Sequence, residues 1–329
     1  MPSIPRSETS HTRARTPARP GGLARMLVVA AALCALCAQF STAARADTTT
    51  AAPRGTRWGL AVARMAVDPD RLQRSMGRPF ASRGVYYPLC CFSYPDSDAR
   101  ALKRSGGLVY ININSWRVTK SGAKVCYPWA DVAAGKEDSL LSRWVKQLSA
   151  FDYGRTIITF HHEPSVTNNP AQPHCGTPGQ YRAAYDHVFR YFRNHGIGYR
   201  FVWTMMASDF TQGRAWRYRP PLGDFRIVGV DGFNRRALQW KSAAQMFSAA
   251  EAYAVSVNKQ LLIGEIGSEE DPNRPGRKAA WITAAAATFG SWDANLIAIE
   301  WTDCHAFRPT TSTSALNAWV KASKLPVFQ

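Results

Sequence analysis

The sequence lacks the signatures of several common enzyme and binding classes. It contains no G-x-S-x-G elbow, no phosphate-cradling glycine loop and no H-E-x-x-H motif, so it gives no support for a serine hydrolase, a nucleotide enzyme or a zinc protease. It also has no Lys/Arg run, zinc-finger spacing or RNA-binding motif, which argues against a nucleic acid partner. We therefore expect neither a metal ion nor a cofactor.

Cysteine is scarce and irregularly spaced. Cys34 and Cys37 lie in the N-terminal segment, and none of the other five cysteines has the C-x-x-C spacing of redox or zinc sites. In an exported protein, five cysteines form at most two disulfides and leave one thiol over, and the sequence leaves the pairing open. The five are Cys90, Cys91, Cys126, Cys175 and Cys304.

Long apolar runs are confined to the N-terminus. Residues 1–46 combine an arginine-rich start, an apolar run of about 13 residues at Met26–Ala38, and an A-x-A cleavage pattern at Ala44-Arg45-Ala46. This layout predicts a secretory signal peptide, because the alternative, an uncleaved membrane anchor, needs a longer run. We predict a secreted, extracellular, monomeric protein without membrane contact after cleavage, beginning with a flexible stalk at 47–55.

Acidic residues are outnumbered by basic ones. The chain has 41 Lys and Arg against 23 Asp and Glu, and six Arg and one Glu lie in the predicted leader. The predicted mature chain keeps 35 basic and 22 acidic residues, a net charge of +13. Such a charge favours an acidic cell wall or an anionic polymer through the field of the whole protein, or it reflects arginines spread over the surface. We favour the second interpretation.

Eight short apolar runs alternate with helical patterns along residues 56–329. The runs are apolar on both faces, as expected of parallel strands buried on both sides, and capping residues such as Thr177 and Ser242 start the helices. We predict a single (β/α)₈ barrel of the α/β class. Strands are expected near Arg57–Val62, Gly84–Tyr87, Leu108–Asn112, Thr156–Phe160, Arg200–Thr204, Ile227–Asp231, Gln260–Glu265 and Leu296–Trp301, and helices near Ser139–Leu148, Pro178–Asn194, Ser242–Val257, Pro275–Ala287 and Ser314–Ala322.

Two glutamates stand at the ends of apolar strands. Glu163 follows the fourth strand in His161-His162-Glu163, and Glu265 ends the seventh in Ile263-Gly264-Glu265. Active sites of such barrels form at the C-terminal ends of the strands. Cleavage of a glycosidic bond needs two carboxyl groups in different protonation states, so this pair predicts a glycoside hydrolase.

At these positions the chain resembles glycoside hydrolase family 26, the β-mannanase and lichenase family of the large retaining (β/α)₈ clan. His162-Glu163 matches the His-Glu at the end of that family's fourth strand, and Glu265-Ile266-Gly267 matches its strand-seven nucleophile. Segments 129–138, 228–233 and 276–281 are also similar. The resemblance, which runs from about Trp58 to Leu316, implies that Glu163 is the acid/base and Glu265 the nucleophile.

Aromatic side chains near the strand ends are candidates for stacking on a sugar. Trp301 on the eighth strand would form the apolar floor under the cleaved sugar, and Trp203 and Trp116 are further candidates, with packing of the barrel as the alternative. If Trp301 points into the barrel, alternation along the strand turns its neighbour Glu300, a third candidate carboxylate, outwards.

Polar candidates complete the predicted site. His162 would orient a carboxylate or bind a sugar hydroxyl, and Asp231 and Asn234 would bind hydroxyls or hold the sixth strand. Together these features predict a retaining endo-β-glycanase that acts on β-mannan, or on β-glucan or xylan. The family carries a Tyr on strand six where this chain has Phe233, and the loop after His-Glu also differs. These departures keep open an alternative, a non-catalytic secreted carbohydrate-binding or cell-wall-associated barrel.

Overall fold

Eight parallel strands close into a barrel in this computed structural model, and the predicted (β/α)₈ fold is confirmed. The structure describes residues 55–62, 69–166, 175–235, 240–292 and 295–328. Around the barrel the strands follow chain order, and β1 pairs with β10 to close it. The barrel strands are β1 (Arg57–Val62), β2 (Ser82–Pro88), β3 (Leu108–Asn114), β6 (Thr156–Phe160), β7 (Arg200–Met206), β8 (Ile227–Asn234), β9 (Gln260–Ser268) and β10 (Leu296–Thr302), and an antiparallel hairpin, β4 (Trp116–Val118) and β5 (Lys124–Cys126), follows β3.

Helices surround the barrel, and the five that the sequence predicts begin within two residues of their predicted starts. A capping box at Thr177 and Gln180 starts the helix before β7, and Ser242 with Gln245 forms a second box. Most helices extend the predicted ranges by one to three residues at an end, within the usual uncertainty of boundaries. The helices are α1 (Pro69–Met76), α2 (Ser97–Ser105), α3 (Trp129–Ala133), α4 (Asp138–Phe151), α5 (Pro178–Asn194), α6 (Ala207–Thr211), α7 (Ala243–Ser256), α8 (Arg277–Gly290) and α9 (Thr313–Ser323).

The barrel interior is narrow, and small residues occupy several positions of its inward face. A Cβ atom added to Gly59 would lie 2.2 Å from the Ser82 hydroxyl oxygen, and one added to Gly229 would lie 2.3 Å from that of Thr204. Inward aliphatic side chains such as Val202 fill the rest of the interior. The large aromatic side chains on the strands therefore pack mainly outwards, in the layer between barrel and helices.

The hairpin β4–β5 is tied to the start of α5 by a disulfide between Cys126 and Cys175. Of the pairings that the sequence leaves open, this one forms, while Cys90, Cys91 and Cys304 are free thiols. The bond closes a stretch of chain with a sequence separation of 49 residues, which includes β6 and Glu163.

The predictions for the N-terminal segment concern residues that lie almost entirely outside the described ranges. The predicted signal peptide, 1–46, and all but the last residue of the predicted stalk, 47–55, lie outside the described residues. Across the residues that the structure describes, no helix combines the length and apolarity needed to cross a membrane.

Candidate active site

Glu163 stands on a strained turn directly after β6. The backbone φ angles of His161 and Glu163 are +49° and +50°, a left-handed region that non-glycine residues rarely adopt and that costs about 1–3 kcal/mol each. Hydrogen bonds to both neighbouring strands hold the turn, because His161 N donates to Ile113 O at 2.8 Å and Glu163 N donates to Thr204 O at 3.2 Å. Backbone strain of this kind clusters at functional sites.

His161 is the structural member of the His161-His162 pair. Its Nδ1 accepts hydrogen bonds from the backbone N–H of Ser115 at 3.2 Å and from the Ser115 hydroxyl at 2.7 Å. That hydroxyl in turn accepts from Trp129 Nε1 at 2.8 Å, and the Trp129 ring meets the imidazole edge-on at 5.0 Å. The network fixes the turn that carries Glu163 from the side opposite to the substrate-facing residues.

A β-bulge turns Glu265 towards the barrel mouth. The register between β8 and β9 pairs Val230 with Ile263 but Asp231 with Glu265, so Gly264 is an extra residue on β9. Without this bulge, alternation would point Gly264 inwards and Glu265 outwards. Only glycine fits here, because a Cβ at 264 would lie 2.5 Å from Asp231 Oδ1.

Two hydroxyl groups contact the carboxylate of Glu265. Tyr86, on the inward face of β2, donates from its hydroxyl to Glu265 Oε1 at 2.6 Å, and Thr302 at the end of β10 donates to Oε2 at 3.5 Å. Burial and the charge of Glu265 raise the pKa of Tyr86 well above its ordinary value, so the phenol keeps the proton that it donates. Sequence reasoning missed Tyr86, because its partner lies 179 residues away on β9, which two strands, β1 and β10, separate from β2.

His162 and Asp231 lie between the two glutamates. His162 Nδ1 is 3.2 Å from Asp231 Oδ2 and 3.9 Å from Glu265 Oε1, and its ring packs at 5.2 Å from that of Tyr86. Asp231 orients the imidazole through this hydrogen bond. The structure thus brings together four of the predicted polar groups, namely Glu163, Glu265, His162 and Asp231.

The carboxyl groups of this cluster have raised pKa values. Burial raises the pKa of Glu163 well above its ordinary value, and the nearby charges of Asp231 and Glu265 add to the effect. Burial also raises the pKa of Glu265, to about 7, while the Tyr86 hydroxyl opposes this by stabilising the anion. Within the described part of the chain, Glu163 Oε1 is buried without a hydrogen-bond partner. A protonated Glu163 beside an ionised Glu265 is the division that glycoside cleavage requires.

The same cluster has the composition of a possible cation site. One ligand atom from each of His162, Asp231 and Glu265 lies within 4.8 Å of the other two. Mixed imidazole and carboxylate ligands suit divalent transition metals. Glu265 also accepts the Tyr86 hydrogen bond, which gives the anion a partner within the protein.

Two predicted stacking residues do not line the cleft. Trp301 and Trp203 are 1% and 0% exposed and face the helices: Trp301 packs against Trp58 at 5.4 Å, and Trp203 against Phe225 at 5.5 Å. The prediction that they contact sugar is wrong. The narrow interior accepts small side chains there, so the indoles occupy the wider layer outside the barrel.

The side chain of Glu300 has the opposite orientation to the predicted one for the same reason. It points into the barrel, the opposite of the predicted orientation, and fits because Gly59 and Ser82 leave room beside it. Fully buried, it has its pKa raised to about 8 by loss of hydration. It lies against residues near the start of β2, whereas Glu163 and Glu265 lie at the C-terminal ends of their strands, so it takes no part in the cluster.

Trp116 and Asn234 lie at the rim rather than in the cluster. Lys124 covers one face of the Trp116 ring, with its ammonium 4.1 Å from the ring centre, so stacking of a sugar on Trp116 stays a prediction. Asn234 Oδ1 accepts from the backbone N–H of Lys241 at 3.1 Å, and its predicted roles, binding a sugar hydroxyl or holding the sixth barrel strand, stay predictions.

Comparisons with known proteins agree with this fold. The structure of a β-mannanase of glycoside hydrolase family 26 from Bacteroides ovatus superposes with a TM-score of 0.62 and 13% identity, over 84% of this chain and 90% of that one. The catalytic domain of a family 26 endo-β-1,4-mannanase from Bacillus sp. JAMB-750 gives 0.60 and 16% identity, over 84% and 87%. This chain is similar to family 26 glycoside hydrolases. The expected resemblance is therefore confirmed, and at these identities it describes the fold.

A sequence relative adds a second line of support. Endoglucanase H of Acetivibrio thermocellus is 27% identical over 223 residues, which make up 64% of this chain and 23% of that protein. The chain thus spans about a quarter of that relative's length. No family model matches the chain. Taken together, the comparisons show the fold of family 26 glycoside hydrolases and a sequence similarity to part of an endoglucanase.

Proposed function

We propose that the protein is a secreted retaining glycoside hydrolase that cleaves a β-linked polysaccharide. The observation that carries the proposal is the cluster of Glu163 and Glu265 at the barrel mouth, in which Tyr86 donates its hydroxyl to Glu265 while Glu163 Oε1 has no partner among the described residues. β-Mannan is the first candidate substrate, because the similar structures of family 26 are mannanases, and β-glucan and xylan follow.

The chemistry assigned to the pair has two steps. In the first, Glu163 donates its proton to the glycosidic oxygen as the bond to the anomeric carbon breaks, and Glu265 attacks that carbon to form an ester. In the second, Glu163, now a carboxylate, removes a proton from water, the water oxygen bonds to the anomeric carbon, and Glu265 leaves as the anion. His162 and Asp231 position the groups between which the sugar sits.

Reducing-sugar release from a panel of polysaccharides tests the proposal. The panel holds β-mannan, lichenan, xylan and acidic polysaccharides, and compares the wild type with Glu163→Gln and Glu265→Gln. We expect release from one polymer, reduced by at least about a thousandfold in both variants, because the loss of either group removes a bond-making or proton-transfer role. Retention of configuration in the first product, followed by NMR, tests the double displacement.

Other outcomes would change the assignment. Release that survives both substitutions would mean that other carboxylates carry the reaction. An absence of release from every polymer, together with binding to one of them, would favour the non-catalytic carbohydrate-binding barrel. Inversion of configuration would refute the nucleophilic role of Glu265 and leave it as a base that activates water.

A further inference from the structure

A groove of about 320 Å³ opens at the ends of β7 and β8. Its volume lies within the range of about 300–1,000 Å³ that is usual for small-ligand sites. Gly232 and Phe233, which follow Asp231 directly on β8, contribute to its lining. Polar side chains supply the rest of the recognition surface, above all Asn234, Arg235 and Lys241.

Asn234 carries a buried donor that meets no acceptor among the described residues. The residue is 2% exposed, and its Oδ1 accepts from the backbone N–H of Lys241, but its Nδ2 makes no hydrogen bond to any of residues 55–62, 69–166, 175–235, 240–292 and 295–328. An amide N–H that is withdrawn from water without an acceptor is costly and needs an explanation. Because Asn234 lines the groove, an acceptor group bound there would satisfy it.

Two aromatic rings pack against the guanidinium group of Arg235. Its guanidinium carbon lies 4.9 Å from the centre of the Phe307 ring and 5.9 Å from that of Phe233, an arrangement that fixes the head group. Over the described ranges, neither Arg235 nor Lys241 has a carboxylate within ion-pairing distance, whereas the neighbouring Arg277 is paired with Asp271. Two cations beside an unfilled donor form a site for an anionic group.

The groove lies one strand end away from the proposed catalytic pair. Asp231 is in register with Glu265, and Arg235, the residue after the end of β8, follows Asp231 by four residues, or about 13 Å at the usual rise of a strand. An anion held by Arg235 would therefore belong to a sugar unit removed from the one that reacts.

We propose that this groove binds a carboxylate-bearing sugar unit, a uronate, of the polysaccharide that the protein cleaves. The planar fork of an arginine matches a carboxylate with two parallel hydrogen bonds, and Asn234 Nδ2 and Lys241 complete the donors. The net positive charge of the chain draws such a polymer to the cleft. The inference rests on the proposed hydrolase function and names its substrate class.

Binding to matched polymers tests the proposal independently of turnover. The probes are one β-glycan in neutral form, the same polymer partly oxidised at C6 to uronate, and the same polymer partly sulfated. The backbone is the one that the hydrolysis panel identifies, or β-mannan if none is cleaved. Affinity electrophoresis in the Glu163→Gln background compares the native groove with Arg235→Gln/Lys241→Gln. An equal loss of charge in Arg104→Gln/Lys146→Gln, on exposed positions of α2 and α4, is the control.

We expect at least about tenfold tighter binding to the oxidised polymer than to the neutral one, as two or more charge-assisted hydrogen bonds imply. The groove variant should lose this preference, and the control pair should keep it. Equal binding to both polymers, an equal preference for the sulfated polymer, or the same loss in the control pair would each overturn the proposal. Preference without hydrolysis of any polymer would refute the proposed function alone, and hydrolysis without preference would refute this inference alone.

Discussion

Tyr86→Phe removes the hydroxyl that Glu265 uses as its donor and should move the acidic limb of the activity profile. The hydroxyl lies 2.6 Å from Glu265 Oε1, and a hydrogen bond to a charged group contributes about 1.5–3 kcal/mol. One pKa unit corresponds to about 1.4 kcal/mol. Because the Glu265 side chain is 12% exposed, water replaces part of the lost bond. The pKa of Glu265 should therefore rise by about one unit.

The sign of the shift follows from the form that the donor stabilises. Tyr86 stabilises the anion of Glu265 and lowers its pKa, so its loss raises that pKa from about 7. The nucleophile must be ionised, and the acidic limb of kcat/KM against pH should then move up by about one unit. Below that limb the variant should be about tenfold slower, and the alkaline limb, set by Glu163, should stay in place.

The neighbouring tyrosine supplies a matched control. Tyr87 faces the helix layer and donates to Asp96 at 2.5 Å, so Tyr87→Phe removes the same atom from the other face of β2. Its acidic limb should coincide with that of the wild type. An unmoved limb in Tyr86→Phe, or the same movement in Tyr87→Phe, would refute the assignment of Tyr86 as the group that tunes Glu265.

Three further substitutions test the scaffold of the site. Gly264→Ala places a Cβ 2.5 Å from Asp231 Oδ1, and kcat/KM should fall by about a hundredfold, because shifts of this size displace reacting groups. Cys126→Ser removes the disulfide to Cys175, which lies 49 residues further along the chain. Denaturant titration should then show a free energy of unfolding lower by about 4 kcal/mol. Glu300 takes up a proton on folding, because its pKa is raised to about 8. As the pH rises from about 5 to 8, the free energy of unfolding of the wild type should therefore fall relative to that of Glu300→Gln, by up to about 1.4 kcal/mol per pH unit.

Each of these has a control and a contradicting result. Gly223→Ala, where an added Cβ meets nothing within 4 Å, should leave kcat/KM unchanged, and an equal loss in both glycine variants would refute the bulge argument. Cys90→Ser leaves the disulfide intact, so a similar destabilisation there would show that the loop is not the cause. Parallel stability curves for the wild type and Glu300→Gln across this pH range would contradict a buried neutral carboxyl.

The positions of the eight strands could be predicted because barrel strands are buried on both faces. That burial makes each strand a short apolar run, as at Thr156–Phe160, whose predicted and observed bounds coincide. The same property hides which face points inwards, since both faces are apolar. Glu300 and Trp301 were assigned the wrong way round for this reason, and the width of the interior, set by glycines such as Gly59 on other strands, decides it.

The catalytic pair was accessible to sequence reasoning only in part. Glu163 and Glu265 could be found because polar residues that end apolar strands meet at one end of a barrel. Tyr86 could not, because its contact joins β2 to β9 across the barrel and leaves no local pattern. The chain has Phe233 on β8, where the similar family has a tyrosine. The hydroxyl of Tyr86 reaches the carboxylate of Glu265 from another strand and so supplies the hydrogen bond that Phe233 lacks.

Both glutamates are presented by departures from regular strand geometry. Glu163 stands on a turn with two positive φ angles, and Glu265 follows a bulge at Gly264. Irregular backbone of this kind costs free energy that the rest of the fold must offset. At Glu163 the offset comes from the hydrogen bonds of Ser115 with His161. Under the proposed function, the network that stabilises this turn therefore also positions the acid/base, which couples stability to catalysis at this end of the barrel.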